Sequence, residues 1–383
     1  MARLALAGLV LLAAGASAAA VERPATGGEI VFSVFEGVPA AQCGGLFAVD
    51  PATRRIRALA GGELLRPSFP PNGARMAVAR IGTGAGVPSA TILRYDRARG
   101  TVAPLATSMF PWGPIWSPQG DRLLVYSGSG RRPTLRAVET DTGRSRTVVS
   151  GKPLGAGAAW ASARIVYTLK QRPNRYSLWT SGPDGRGAKL LAANAVDPVA
   201  SPKGGWVAFW PGTVLIGAVG PVTLLRADGS GRRRLAGGPY LHRGIAFSPD
   251  GRRLALMKKP RSGPKTSYDD ADLVVQPIDA TRAPRVLARN VIPVGWSPDG
   301  SRLLILRPRE VEGETVFGVS IVDTAGKHER LVAVIDEQDV NGDLSFPAWN
   351  PRSGRIEPLA SSGRSRSCVP RLEALRRRLQ RSG

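Results

Sequence analysis

Apolar residues in this chain fall in short runs that alternate with polar positions, and Gly, Pro, Asp and Ser break the runs at close, regular intervals. Two stretches show the pattern most plainly. GIAFSPDGRRLALM (Gly244 to Met257) and VGWSPDGSRLLIL (Val294 to Leu306) each place an apolar stretch before Ser-Pro-Asp-Gly, then a basic residue and a second apolar stretch. This predicts a strand, a tight turn and a second strand. Asp-Gly offers the positive φ angles of a two-residue hairpin turn, and the flanking Val, Ile, Leu and Phe suit a pleated, buried surface.

The phrase recurs with decay. SFPPNGARMAVAR starts at Ser68, IWSPQGDRLLVYS at Ile115, AAWASARIVYTL at Ala158, VASPKGGWVAFW at Val199 and PAWNPRSGRI at Pro347. Trp116, Trp160, Trp296 and Trp349 occupy the same position of the phrase. Between the copies lies a second repeated pattern: an alternating strand, an Asp- or Gly-containing turn with basic residues, and another strand. It begins at Gly45, Thr91, Leu135, Ser177, Val222, Leu273 and Val319. Each unit therefore holds four strands, and no helical period appears between Gly28 and Arg355. Such a unit cannot bury both sheet faces alone, and radial stacking of units solves the problem. The expected fold is an all-β propeller spanning residues 28–356. Seven blades is the favoured count, with six as the alternative because the copies at Ala158 and Val199 are degenerate. EIVFSV (Glu29 to Val34) aligns with the second strand of a unit, and PAWNPRSG is a first strand without a continuation. The two chain ends should pair and close the ring.

Composition changes the picture at the ends of the chain. Residues 1–20, MARLALAGLVLLAAGASAAA, have one basic residue, an apolar run and a small-residue Ala16-Ser17-Ala18 site. This is the layout of a signal peptide cleaved after Ala18 or Ala20, and it implies a periplasmic, cell-envelope or extracellular protein. No other stretch is long and apolar enough to cross a bilayer. Formal net charge is +24 and the sequence pI is about 11.3. An exported protein meets anionic envelope polymers rather than nucleic acid, so no nucleic-acid partner is expected, and arginine-rich composition itself favours solubility. The only cysteines, Cys43 and Cys368, lie near the two ends of the mature chain. In an oxidising compartment such a pair reads as a disulfide across the seam of the ring. Residues 357–383 form a basic tail, and CVPRLEALRRRLQRSG within it predicts a short helix with Leu372, Leu375 and Leu379 on one side.

FSPDGRRLAL and WSPDGSRLLI, each followed by a strand that ends in Asp or Gly and a basic residue, resemble the repeat of TolB-type propellers. Related repeats occur in the propeller domains of prolyl-oligopeptidase-like peptidases and tricorn-like proteases. The resemblance covers nearly all of the mature chain and implies the fold. The chain departs from TolB itself in placing the propeller directly behind the leader, without the α/β domain that family uses towards inner-membrane partners. The peptidase resemblance would require a Gly-x-Ser-x-Gly elbow with an acid and a histidine. That motif is absent, and the two histidines, His242 and His328, read as surface residues.

Chemistry-bearing candidates are few. In DEQDVNGDLSF, Asp339, Asn341 and Asp343 fall at alternate positions, as in calcium loops. Leu344 stands where an EF-hand carries glycine and no acid closes the loop, so an Asx-rich turn is the favoured reading and calcium the weaker one. No other cofactor is implied. The connections within blades are long on one face and the turns short and basic on the other. Propellers bind where connections are long, over the channel mouth. This nominates Lys258, Lys259, Arg261, Lys265, Tyr268 and Asp269 as a contact loop, with Trp112 and Tyr240 on neighbouring connections. The expected function is that of a monomeric, non-catalytic binding platform for an envelope protein or anionic polymer. The rival is a hydrolase or lyase in which Asp269, Asp270, Asp272 and Asp339 cluster at the channel mouth.

Overall fold

The structure is a computed structural model that describes residues 27–34, 44–62, 64–81, 89–109, 114–128, 133–173, 175–203, 205–212, 219–236, 238, 240–241, 245–258, 271–279, 283–311, 313–336, 346–359 and 363–381. Its strands form seven antiparallel sheets arranged as blades. From the innermost strand outward, blade 2 is Leu64–Ser68, Arg75–Ile81, Ser89–Asp96 and Thr101–Met109. Blade 3 is Ile115–Trp116, Arg122–Ser127, Thr134–Glu139 and Ser145–Val149, and blade 4 is Leu154–Ala161, Arg164–Arg172, Arg175–Ser181 and Lys189–Ala193. Blade 5 is Ala195–Ala200, Val207–Pro211, Thr223–Leu225 and Arg233–Arg234. Blade 6 is Ala246–Phe247, Arg253–Lys258, Asp272–Pro277 and Arg285–Ala288, and blade 7 is Ile292–Trp296, Arg302–Val311, Glu314–Asp323 and Arg330–Asp336. The degenerate copies at Ala158 and Val199 are thus the blades 4 and 5 of a seven-bladed ring.

Blade 1 is built from both chain ends. Its innermost strand Ala348–Trp349 pairs with Ile30–Val34, which is followed by Gly45–Val49 and Ile56–Gly61. The closing register is Ile30 opposite Trp349 and Val31 opposite Ala348, extended by backbone bonds from Gly28 N to Asn350 O and from Asn350 N to Glu29 O. The carboxylate of Glu29 lies beside this seam. Arg57 donates to it from Nε (3.0 Å) and Nη2 (2.7 Å), and the Ile356 amide donates to Oε2 at 2.9 Å.

Apolar residues from facing sheets meet in one cluster per blade interface, so no blade carries a core of its own. Met76 and Val78 pack on Leu46 and Leu59 between blades 1 and 2, and Leu224 and Trp210 pack on Leu254 and Leu256 between blades 5 and 6. The cluster between blades 7 and 1 also takes in Cys368 and Leu372 of helix α1 (Gly363–Arg381). This helix contacts Ile56–Gly61 and Arg330–Asp336, the outermost strands of blades 1 and 7, and so spans the outside of the seam. Leu379 completes a second cluster with Val311, Val316 and Val334. The Arg376 side chain is buried and donates to Arg54 O at 2.7 Å, and burial pushes its pKa down.

The repeated phrase has a local explanation that differs in one respect from the two-residue turn. In Ser248-Pro249-Asp250-Gly251 the Gly251 amide bonds to Ser248 O, and the Ser248 amide bonds to Arg253 O. The same pattern holds at Ser117 to Arg122 and at Ser297 to Arg302. Only glycine has positive φ, at 74°, 71° and 69° for Gly120, Gly251 and Gly300. This is a longer hairpin, with a type I turn and a left-handed glycine behind it. Aspartate serves instead as an acceptor: the Ser248 and Ser297 hydroxyls donate to Asp250 and Asp299. The shared tryptophan joins blades. Trp160 Nε1 donates to Ile115 O (3.2 Å) and Trp296 Nε1 to Ala246 O (3.0 Å), each reaching the innermost strand of the preceding blade. The basic residue reaches forward: Arg253 stacks on Trp296 at 4.6 Å and donates to Gly300 O at 2.9 Å.

Candidate functional site

The innermost strands converge on the channel, and four of them are irregular there. Register shifts fall between Leu65 and Ser68, Leu154 and Ala158, Val196 and Val199, and Pro293 and Gly295. At two of these bulges a charged residue takes the left-handed conformation: Arg66 with φ 53° and Asp197 with φ 49°. Non-glycine residues adopt that conformation at a cost, and bulges re-aim side chains. Proline follows both residues, so neither Pro67 nor Pro198 has an amide to donate to the ladder.

A cavity of about 310 Å³ lies at this level, lined by Arg66, Ser68, Ile115, Tyr126, Ala158 and Phe346 among others. Its walls come from blades 2, 3 and 4 and from the residue that leads into the inner strand of blade 1. The lining runs along the inner strands: Arg66 to Ser68 end the strand Leu64–Ser68, Gly157 and Ala158 stand in the middle of Leu154–Ala161, and Tyr126 comes from the second strand of blade 3. Tyr126 is buried; burial raises its hydroxyl pKa, a bond from the Gly157 backbone opposes this, and the charge of Asp197 adds to the rise. The hydroxyl is therefore neutral across the physiological range. Gly157 is required there, since a Cβ would stand 2.9 Å from Pro198 Cδ and 3.4 Å from Asp197 Cα. The result is an apolar wall of Ile115, Ala158 and Phe346 with one guanidinium, one carboxylate close by and two hydroxyls. Such a site can orient a ligand through a few polar contacts.

The residues nominated from sequence are placed unevenly. Lys258 and Asp272 stand opposite each other at the connection end of blade 6, both half-buried. Lys259, Arg261, Lys265, Tyr268, Asp269 and Asp270 lie outside the described residues, as do Trp112, His242, Cys43 and the trio Asp339, Asn341 and Asp343. Trp112 lies two residues before Pro114, and Asp343 three before Phe346, both cavity-lining positions. Tyr240, placed by sequence on a contact connection, is instead fully buried. It forms the short strand Tyr240–Leu241 against Lys258, and Val219–Gly220 from blade 5 pairs on its other side. Its hydroxyl lies 2.7 Å from Ala236 O and 2.6 Å from the Gln276 amide group. One hydroxyl proton serves one acceptor at a time, so Tyr240 donates either to Ala236 O or to Gln276 Oε1. Burial raises the Tyr240 hydroxyl pKa to about 12. His328 is exposed, with Nδ1 2.8 Å from Asp323 Oδ2. Among the described residues no group of three or more His, Cys, Asp or Glu is arranged to hold a metal ion. Arg66, Asp197 and Tyr126 were not singled out from sequence; the available signal was a charged residue before proline inside an otherwise apolar inner strand.

No family model matches the chain, and no curated protein sequence matches it. Solved structures do. An oligogalacturonate lyase from Vibrio parahaemolyticus aligns at 10% identity over 73% of this chain and 82% of its own, with a TM-score of 0.54. The propeller domain of the trilobed protease from Pyrococcus furiosus, described as having an open velcro topology, aligns at 12% identity over 70% and 82%, with a TM-score of 0.52. TolB from Acinetobacter baumannii aligns at 15% identity over 71% and 82%, with a TM-score of 0.46. A lyase and a protease domain thus share this architecture, and identities this low speak for the fold alone. The chain is a seven-bladed β-propeller whose ring, unlike the open one of the protease domain, is closed by its own two ends.

Proposed function

We propose that this propeller is an exported binding platform of the cell envelope or extracellular space, which presents its connection face to an envelope protein or anionic polymer. The observation that carries the reading is the cavity beside Arg66. It takes its walls from the inner strands of several blades and brings Arg66, Ser68 and Tyr126 to one apolar pocket. A rigid ring suits such a role, because loops held on a closed scaffold are ordered before the partner arrives. No helix among the described residues is long and apolar enough to cross a membrane. A Cys43–Cys368 bridge belongs to the same reading: Cys368 is buried in the cluster between blades 7 and 1, so the bridge would tie the first connection of blade 1 to the seam helix.

The test is crosslinking of the mature protein in its native envelope at physiological salt, with partners identified by mass spectrometry. One dominant partner, lost when residues 258–272 are replaced by a Gly-Ser loop or when Arg66 becomes Gln, supports the platform. Crosslinks scattered over many proteins that fade as salt rises refute it. Amino-terminal sequencing of the same material should begin after Ala18 or Ala20.

A further inference from the structure

The turn face carries many arginines, and several of them are paired with acids. Arg99 pairs with Asp96 at 3.0 Å, Arg75 with Asp141, and Arg186 with Asp184 at 3.8 Å. The corner between blades 4 and 5 gathers four arginines beside an indole. Arg226, Arg232, Arg233 and Arg234 come from one turn and the strand after it, and among the described residues none has an acidic partner within 4.0 Å. Arg226 and Arg233 stack on Trp206 at 4.8 and 4.6 Å from the ring centroid. Arg233 Nε has no hydrogen-bond partner there. Lys189 of blade 4 joins the group by donating to Asp228 O at 3.1 Å.

The nearby acids offset only part of this corner, since the ionised Asp228 carboxylate also feels the charge of Arg226. Hydrogen bonds from the Ser230 hydroxyl and amide hold the Asp228 carboxylate within its own turn and lower its pKa. Asp184 is taken by Arg186, at 3.8 Å. What remains is the exposed Arg226 and half-buried Arg233 held against the indole, with exposed Arg232, 5.9 Å from the Phe209 ring centroid, and exposed Arg234 beside them. Arginine held this way loses little freedom when it meets a flat, bidentate anion.

We propose that this corner of blades 4 and 5 binds a linear acidic glycan through its carboxylates. Several cations along one edge fit a polymer with charges at intervals better than a single small anion. Single-stranded nucleic acid fits less well, since it needs a free aromatic face on which to stack bases. Here Trp206 carries two guanidinium groups and Phe209 is fully buried. A bilayer also fits less well, because an interfacial surface buries several large apolar residues and this corner exposes only Leu190 among the described ones.

The experiment measures binding of an alginate decamer to the full mature chain at about 0.15 M salt, with neutral dextran, short duplex DNA and phosphatidylglycerol vesicles as competitors. Arg232→Gln/Arg234→Gln is expected to weaken alginate binding by at least about tenfold. It should also reduce the slope of log affinity against log salt by about two, one for each cation removed. Arg226→Lys/Arg233→Lys keeps the charge and loses the stacked plane, and should weaken binding several-fold with the denaturation midpoint checked in parallel. Arg144→Gln/Arg146→Gln, on the turn of blade 3, should change nothing beyond a uniform salt effect. Failure to bind alginate, equal losses from the blade 3 variant, no effect of the lysine pair, or tighter binding of DNA or vesicles would each overturn the assignment.

Discussion

Replacing Glu29 by Ala strikes the ring where its two ends meet, and the structure sets the scale of the loss. The carboxylate is almost wholly buried, 6% exposed, and accepts from Arg57 Nε, Arg57 Nη2 and the Ile356 amide. Arg57 also donates to Ile356 O at 2.9 Å, so one guanidinium ties together the strand Ile56–Gly61, the residue before Ile30 and the segment after the closing strand. Truncation leaves a buried guanidinium and a buried amide without their acceptor, a change that typically costs about 3 to 5 kcal/mol. Arg57 retains 21% exposure and can recover some hydration, which places the expectation near the lower end, about 3 kcal/mol. The assay is urea denaturation followed by the fluorescence of the eight tryptophans. It is run on Glu29→Ala, Arg57→Ala and the double variant. If the network acts as one unit, the double variant loses less than the sum of the singles by at least about 1.5 kcal/mol. A single-variant loss below about 1 kcal/mol, or additive losses, would refute the idea that this pair holds the seam.

The other expectations concern the repeat and the clasp. Trp296→Phe removes the bond to Ala246 O, at a cost of about 1 kcal/mol. Trp349→Phe should cost less, because Trp349 Nε1 is buried without a partner, and the reverse order of denaturation midpoints would contradict this. Leu372→Ala on α1 should cost about 2 to 4 kcal/mol as a buried member of the cluster between blades 7 and 1, against a smaller loss for the half-buried Leu375, both read by urea denaturation. Burial by itself would raise the Asp250 and Asp299 carboxyls, but the Ser248 and Ser297 hydroxyls, turn amides and nearby arginines outweigh it and hold both below the usual range. A lowered folded-state pKa contributes stability that is complete above the unfolded value, about 3.9, and is lost as pH falls through the folded one. Stability should therefore fall on the acid side, and Ser248→Ala/Ser297→Ala should flatten that fall in denaturation curves taken across pH.

The repeat made the ring legible because its recurring positions do separable jobs. Glycine turns the chain, tryptophan reaches back one blade and arginine reaches forward one, so even degraded copies keep the spacing that a blade needs. Trp160 survives in the copy at Ala158 and still bonds to blade 3, which is why that copy folds as blade 4 despite its lost Ser-Pro turn. The channel was not legible in the same way. Arg66 and Asp197 sit at corresponding places in inner strands 131 residues apart in sequence, and only ring closure brings their strands to one axis. Tyr240 reads as a connection residue because Gly and Pro precede it and His-Arg-Gly follows, yet pairing with Lys258 and with a segment borrowed from blade 5 draws it into the core. The tail tells the same story at larger scale. Its leucine spacing predicts a helix and an apolar side, but nothing in residues 363–381 names their target. Leu372 and Leu379 find it only because closure sets the outer strands of blades 1 and 7 side by side, where each would otherwise expose an edge. Contacts that follow from closure are therefore the ones to test by breaking closure.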